Sequence, residues 1–247
     1  MNKEVNGTPE KHSTKNSQLF PLLIGQGKLA RHLHHYFHLT EFPHKHFDNA
    51  RDLAQPEFHR KIREVNSVWV LTTDQSIASV MENIKVEMIK LDLNPANYTW
   101  IHSSAATEIA GTITFHPLMT FGPELYSLEQ YQAIPFALIS NEEVNFPLSN
   151  NTFKIESQQR SFYHACAVMM SNLPILLWSL TSTEAKQKLA LDPQIFHPIL
   201  KQTLDNFLKN GESALTGPIA RNDQKTIAQN LAAISNTPLL TIYEAFL

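Results

Sequence analysis

Glycine is scarce in this chain, with seven among 247 residues, and cysteine is scarcer still. Cys166 stands alone, so no internal disulfide can form, and a reducing, cytoplasmic setting is expected. There is no excess of charge either: 20 Lys and Arg against 23 Asp and Glu leave a formal net charge of −3. That balance excludes the basic footprint of a nucleic-acid binder or of a protein drawn to anionic membranes, so neither partner is expected. No unbroken apolar run reaches membrane-spanning length, and the first residues lack the basic-then-apolar layout of a signal peptide. What the chain does have is 43% hydrophobic residues over a length that buries a large core, expected to divide into two domains.

Two of the seven glycines fall within three residues, in Leu22-Leu23-Ile24-Gly25-Gln26-Gly27-Lys28-Leu29-Ala30. An apolar run ends on Gly-x-Gly-x-x-Ala and leads into Arg31–Leu39, where Leu33, Tyr36 and Phe37 recur at helical spacing. This reads as strand, glycine turn, helix, the arrangement that holds the pyrophosphate of a dinucleotide. The first glycine makes the turn, the second lets backbone approach the ligand, and Ala30 lets the helix pack on its strand. Free amides of the first helical turn, together with the positive end of the helix dipole, suit an anion. Gly25, Gln26, Gly27, Lys28, Leu29 and Ala30 are therefore the candidate cofactor-binding residues.

Residues 1–18 are polar and expected to be disordered. Beyond them, strand-like runs (19–24, 39–42, 67–71, 98–102, 112–115 and 135–139) alternate with helical candidates at 28–37, 57–65 and 75–91. Such alternation predicts a mainly parallel sheet with helices on both faces, an α/β Rossmann domain over 19–148. A polar stretch at 140–152 marks the boundary. The remainder, 149–247, reads as an all-α domain with helices at 156–178, 193–208, 223–234 and 238–247, and Pro174 is expected to kink or reset the first of them.

NADP is expected rather than NAD, because His44, Lys45 and His46 follow the predicted second strand where an acidic residue would select NAD. Half of the twelve histidines lie between His32 and His46, yet they lack a carboxylate or thiolate at matching spacing, so no metal site is expected. On the first helix His34 and His38 are expected to face solvent. Candidates for proton transfer are His102 and Ser104 at the end of one strand and His116 at the end of the next, since open parallel sheets bind ligands there. Cys166 is flanked by apolar residues and reads as a packed thiol. Residues 162–178 are apolar around most of the helix, which calls for a surrounding surface and predicts a homodimer through the helical half.

Four segments carry a family resemblance. They are Trp69–Ile77 (Trp-Val-Leu-Thr-Thr-Asp-Gln-Ser-Ile), Phe115–Phe121 (with His-Pro-Leu), Tyr163–Asn172 (with His-Ala … Ser-Asn) and Ala214–Asp223 (with Leu-Thr-Gly-Pro). In this order they resemble the 6-phosphogluconate-dehydrogenase-like Rossmann proteins that carry a C-terminal domain of unknown function 2520. The resemblance implies an NADP-dependent oxidoreductase with a helical dimerisation domain, related to pyrroline-carboxylate and ketopantoate reductases. It also implies Thr72, Thr73 and Asp74 beside the cofactor, and His164 and Asn172 near the nicotinamide. Arg221 pairs structurally or binds a substrate carboxylate. Two positions depart from the family pattern: Asn222 stands where glycine is usual, and Asn230 where a histidine often follows. Three functions remain open from sequence: a reductase acting on a small polar molecule, a nucleotide sensor without turnover, and a methyltransferase, against which the helical second half argues.

Overall fold

The computed structural model describes residues 19–140 and 147–247. The expected disordered tail lies outside the described residues, as does the centre of the polar stretch at 141–146.

A seven-stranded sheet in the order β2-β1-β3-β4-β5-β6-β7 organises the first part of the chain. Its strands are β1 (Pro21–Ile24), β2 (Lys45–Phe47), β3 (Ser67–Val70), β4 (Thr99–His102), β5 (Ile113–Pro117), β6 (Phe136–Ile139) and β7 (Thr152–Lys154). From β2 to β5 all pairings are parallel; β6 runs antiparallel to β5, and β7 parallel to β6. The apolar runs of β1 and β3 follow from burial on both faces, as helices cover each side of a parallel sheet.

Side chains alternate between those faces. Leu22 and Ile24 join Val68, Val70, Phe58, Ile62, Ile77, Met81 and Met88 under α2 (Pro56–Arg63) and α3 (Asp74–Lys90). Leu23 and Trp69 point the other way, to Leu33, Tyr36, Phe37, Phe115 and Tyr131 under α1 (Lys28–Leu39) and α4 (Leu128–Gln132). Period two in the strands and a stripe on each helix thus build two cores on one sheet. The chain leaves β1 outward to β2 and then crosses back to β3. That reversal opens a crevice beyond the carboxyl ends of β1 and β3.

Four expectations need correction. Residues 39–42 form no strand: α1 runs to Leu39 and ends in a turn where Glu41 takes φ 52°, so the second strand starts at Lys45. Strand structure continues past residue 140, because β7 pairs with β6 after the polar stretch. Pro174 does not reset its helix; α5 (Arg160–Leu189) continues through it as 30 residues. The chain divides into two compact units within that helix, at Ala165/Cys166, later than the polar stretch suggested.

The C-terminal unit, residues 166–247, holds the rest of α5, α6 (His197–Asn210), α7 (Gly217–Ala220), α8 (Gln224–Ile234) and α9 (Leu239–Glu244). Asn222 adopts φ 53°, the conformation a glycine would take without strain, and Asp223 caps α8 by accepting from the Thr226 amide. Asn230 donates to the Tyr243 hydroxyl. Along α5 the apolar side chains stay largely exposed, Met169 by 61% and Met170 by 71%, and Cys166 is exposed instead of packed. By length and composition alone, Ser157–Leu189 would suffice to cross a membrane. No unbroken apolar run announces this, since Ser171, Asn172 and Pro174 interrupt it, yet the average over the helix remains apolar.

Candidate functional site

The glycine turn sits at the switch point. Gly25 has φ +143°, and a Cβ there would lie 2.4 Å from the Leu71 carbonyl oxygen, so only glycine lets the turn rest against the end of β3. Gly27 differs. It caps α1 with φ −69° and ψ 175°, and a Cβ there would meet no atom within 4 Å. That open space belongs to a groove of 540 Å³ lined by Gly25–Leu29, Asp48–Arg51, Leu71–Thr73, Ser76 and Val80. Of the residues expected to hold a cofactor, Gly25, Gln26, Gly27, Lys28, Leu29, Thr72 and Thr73 meet in this groove. Ala30 is buried beneath the turn. The Thr72 hydroxyl is buried without a hydrogen-bond partner. A polar atom left so beside a cavity fits a polar ligand.

His44 and Lys45 are placed otherwise than expected. The shift of β2 puts His44 before the strand, its Nδ1 on the Phe42 carbonyl at 2.7 Å, while Lys45 pairs with Glu64 at 2.6 Å. The residues beyond the carboxyl end of β2 that line the groove include Asp48, Asn49 and Arg51; of these the sequence offered Asp48 as an acidic alternative lying past the strand tip. His34 is exposed, as expected, and its Nδ1 lies 2.8 Å from Nε2 of His44. His32 is buried against Tyr131 and the Gly122 carbonyl. Among the described residues no group of three or more His, Cys, Asp or Glu is arranged to hold a metal ion.

Beyond β4 and β5 lies a second polar cluster, within the N-terminal unit. The Ser104 amide donates to Nδ1 of His102, so Nε2 carries the proton and donates to the Thr114 hydroxyl at 3.2 Å. Arg160, buried at the start of α5, donates to the carbonyls of Ser104 and Thr107 and to Thr114 Oγ1. The Ser104 hydroxyl is turned to Thr107. Burial, helped by the Arg160 charge, lowers the His102 pKa to about 4. Both ring nitrogens of His102 are therefore spent on structure, which leaves none free for proton transfer.

His116 is the more open candidate. Its Nδ1 lies 2.8 Å from the Tyr163 hydroxyl, and the His164 ring stands 6.4 Å away, edge to face. Burial, with His164 adding to it, lowers His116 to about 4 against the opposing pull of Asp74, and burial raises Tyr163 to about 12. Both groups are neutral at pH 7. Tyr163 precedes His164 within a segment that carried the family resemblance, and that adjacency was the available signal for it. In the C-terminal unit, Asn172 and Arg221 are both exposed.

Comparison with known proteins agrees with this architecture. Residues 140–246 match a domain of unknown function, DUF2520. Protein TM1727 from Thermotoga maritima superposes with a TM-score of 0.65 at 21% identity, covering 91% of this chain and 94% of that one. An NADP oxidoreductase candidate from Bacteroides fragilis, BF3122, gives 0.62 at 20% identity over 92% and 96%. An imine reductase from Streptomyces aurantiacus gives 0.56 at 10% identity over 92% of each chain. At these identities the likeness is one of fold: a Rossmann-like sheet followed by a helical part. No functionally curated protein matches the chain.

Proposed function

We propose that this protein is an oxidoreductase that moves hydride between NADP(H) and a small polar substrate bearing a carbonyl or imine. The observation that carries the reading is the open space over Gly27, at the switch point and beside the orphaned Thr72 hydroxyl, where a Cβ would intrude on a ligand. The names borne by the similar Bacteroides and Streptomyces structures, an NADP oxidoreductase candidate and an imine reductase, support the same class.

A nicotinamide dinucleotide in this groove supplies the hydride. The amides of Lys28, Leu29 and Ala30 in the first turn of α1 hold the pyrophosphate. Arg51 takes over the part that the sequence reading gave to His44 and Lys45, gripping a 2′-phosphate, while Asp48 beside it suits a free 2′-hydroxyl. The substrate's proton comes from the His116–Tyr163 pair. With the Tyr163 hydroxyl donating to Nδ1, the remaining ring proton of His116 sits on Nε2. Asn172 and Arg221 enter this proposal through the family resemblance alone.

Fluorescence titration with NADPH and NADH, followed by a turnover assay on simple ketones and cyclic imines, tests the reading. Binding of neither dinucleotide would overturn it, and binding without turnover would make the protein a nucleotide sensor.

The same proposal includes a homodimer through the helical half in the cytoplasm. Phe162, Met169, Met170, Ile175 and Leu176 are all more than half exposed on one helix, and a second copy would cover them as a like surface meets its like. Light scattering without detergent should give twice 28.1 kDa. A monomer, or a requirement for detergent, refutes it.

A further inference from the structure

The histidine-rich stretch from His32 to His46 has found no use so far, and its hydrogen bonds indicate one. A carbonyl can only accept, so His46, whose Nε2 lies 2.8 Å from the Gly25 oxygen, carries its proton there. By the same logic His44 holds a proton on Nδ1, toward the Phe42 carbonyl. Burial keeps His44 neutral at pH 7, which leaves its Nε2 as an acceptor and makes His34 the donor through Nδ1. The His34 ring stacks on His46, with centroids 4.6 Å apart and planes at 27°. His35 and His38 add further imidazoles from α1, and Lys61 reaches the His46 carbonyl from α2. The proton positions of His34, His44 and His46 are thus each fixed by a neighbour.

The end of this chain is the turn itself. Gly25 is tied on both sides to β2, its amide donating to the Phe47 carbonyl at 3.0 Å and its carbonyl accepting from His46. Its φ of +143° belongs to a backbone that does not hold itself, and two bonds to one strand restrain both of its peptide groups. We infer that His46 is a positioning residue, clamping the Gly25 carbonyl so that the turn before α1 keeps the shape its ligand needs. The ligand part of this inference rests on the dinucleotide reading of the groove; the clamp does not.

The test has separate arms for the two. In the ligand-free protein, His46→Leu should speed hydrogen exchange of the amides of residues 26–31 by about tenfold, the factor that goes with one lost hydrogen bond, while His46→Gln, which restores a donor, should not. Titration with NADPH should show the same pattern, a Kd about tenfold weaker for Leu and near wild type for Gln. The wild-type protein offers a third readout: the His46 ring nitrogens in an NMR spectrum should report a proton on Nε2. Unchanged exchange in a folded His46→Leu protein, or a ring protonated at Nδ1, overturns the clamp. If NADPH and NADH fail to bind wild type while exchange follows the pattern, the dinucleotide reading falls and the clamp stands.

Discussion

Gly25 and Gly27 belong to one motif, yet the structure predicts opposite consequences for adding a side chain to each. At Gly25 an alanine must adopt φ +143° and push its Cβ against the Leu71 carbonyl, which would lie 2.4 Å away and is backbone that cannot swing aside. Strain at such a backbone angle costs about 1–3 kcal/mol, and forcing an atom into a filled site about as much again. Gly25→Ala should therefore lower stability by about 3–5 kcal/mol. At Gly27 the backbone is ordinary and nothing lies within 4 Å. Losing glycine's freedom in the unfolded chain stabilises by about 0.4–1 kcal/mol. Losing a favoured helix-cap residue offsets a similar amount. Gly27→Val should fold with a stability within about 1 kcal/mol of wild type, yet its branched side chain occupies the groove and should weaken NADPH at least about 100-fold, near 2.7 kcal/mol. Urea unfolding followed by tryptophan fluorescence gives the first quantity and NADPH titration the second. A folded Gly27→Val protein with wild-type affinity would refute the pyrophosphate reading. A Gly25→Ala protein of unchanged stability would refute the close approach.

Three further outcomes follow from the same geometry. Arg51→Ala should weaken NADPH by about tenfold or more while leaving NADH within about threefold, as measured by parallel titrations, because the guanidinium is read as the partner of the 2′-phosphate. Arg160→Met strands the carbonyls of Ser104 and Thr107, and should cost about 2–4 kcal/mol in urea unfolding; a loss below about 1 kcal/mol would mean that the network does not hold the loop after β4. His102 is fully buried with a pKa lowered from 6.5 to about 4, so the unfolded chain binds the extra proton. Its contribution to stability is complete above pH 6.5 and is lost as pH falls toward 4, by up to about 3 kcal/mol, and His102→Gln should flatten that part of a stability–pH curve.

The fold was largely legible because its strongest signals are local. Runs such as Leu22-Leu23-Ile24 and Val68-Trp69-Val70 must be buried on both faces, and the glycine turn told which end of β1 the ligand meets. β2 was not legible, since three residues, Lys45-His46-Phe47, carry only one fully buried side chain and are strand by virtue of pairing with β1. That local failure placed the expected end of β2 at His44 and Lys45, whereas Asp48 and Arg51 are the residues that follow the strand and line the groove. The distinction between His102 and His116 was equally out of reach. Both lie at the end of a strand, but His102 is fully buried with its two ring nitrogens held by the Ser104 amide and the Thr114 hydroxyl, whereas half-buried His116 is bonded through Nδ1 to Tyr163, more than forty residues away.

One helix serves two purposes, and its composition changes where the purpose does. In its first turns α5 places Arg160 under the loop after β4 and Tyr163 and His164 beside His116, so its polar residues are spent inside the N-terminal unit. From Cys166 to Trp178 the same helix is apolar on most faces, which defeats an amphipathic reading, and the division between units falls at the start of that stretch. Met169, Met170 and Ile175 are more than half exposed on it, the apolar surface on which the proposed homodimer rests. Ser171 satisfies its hydroxyl on the Ala167 carbonyl one turn back, and Thr181 and Thr183 do likewise on Leu177 and Ser179. With polar groups turned inward to the backbone, this length of helix is prepared for a dry partner.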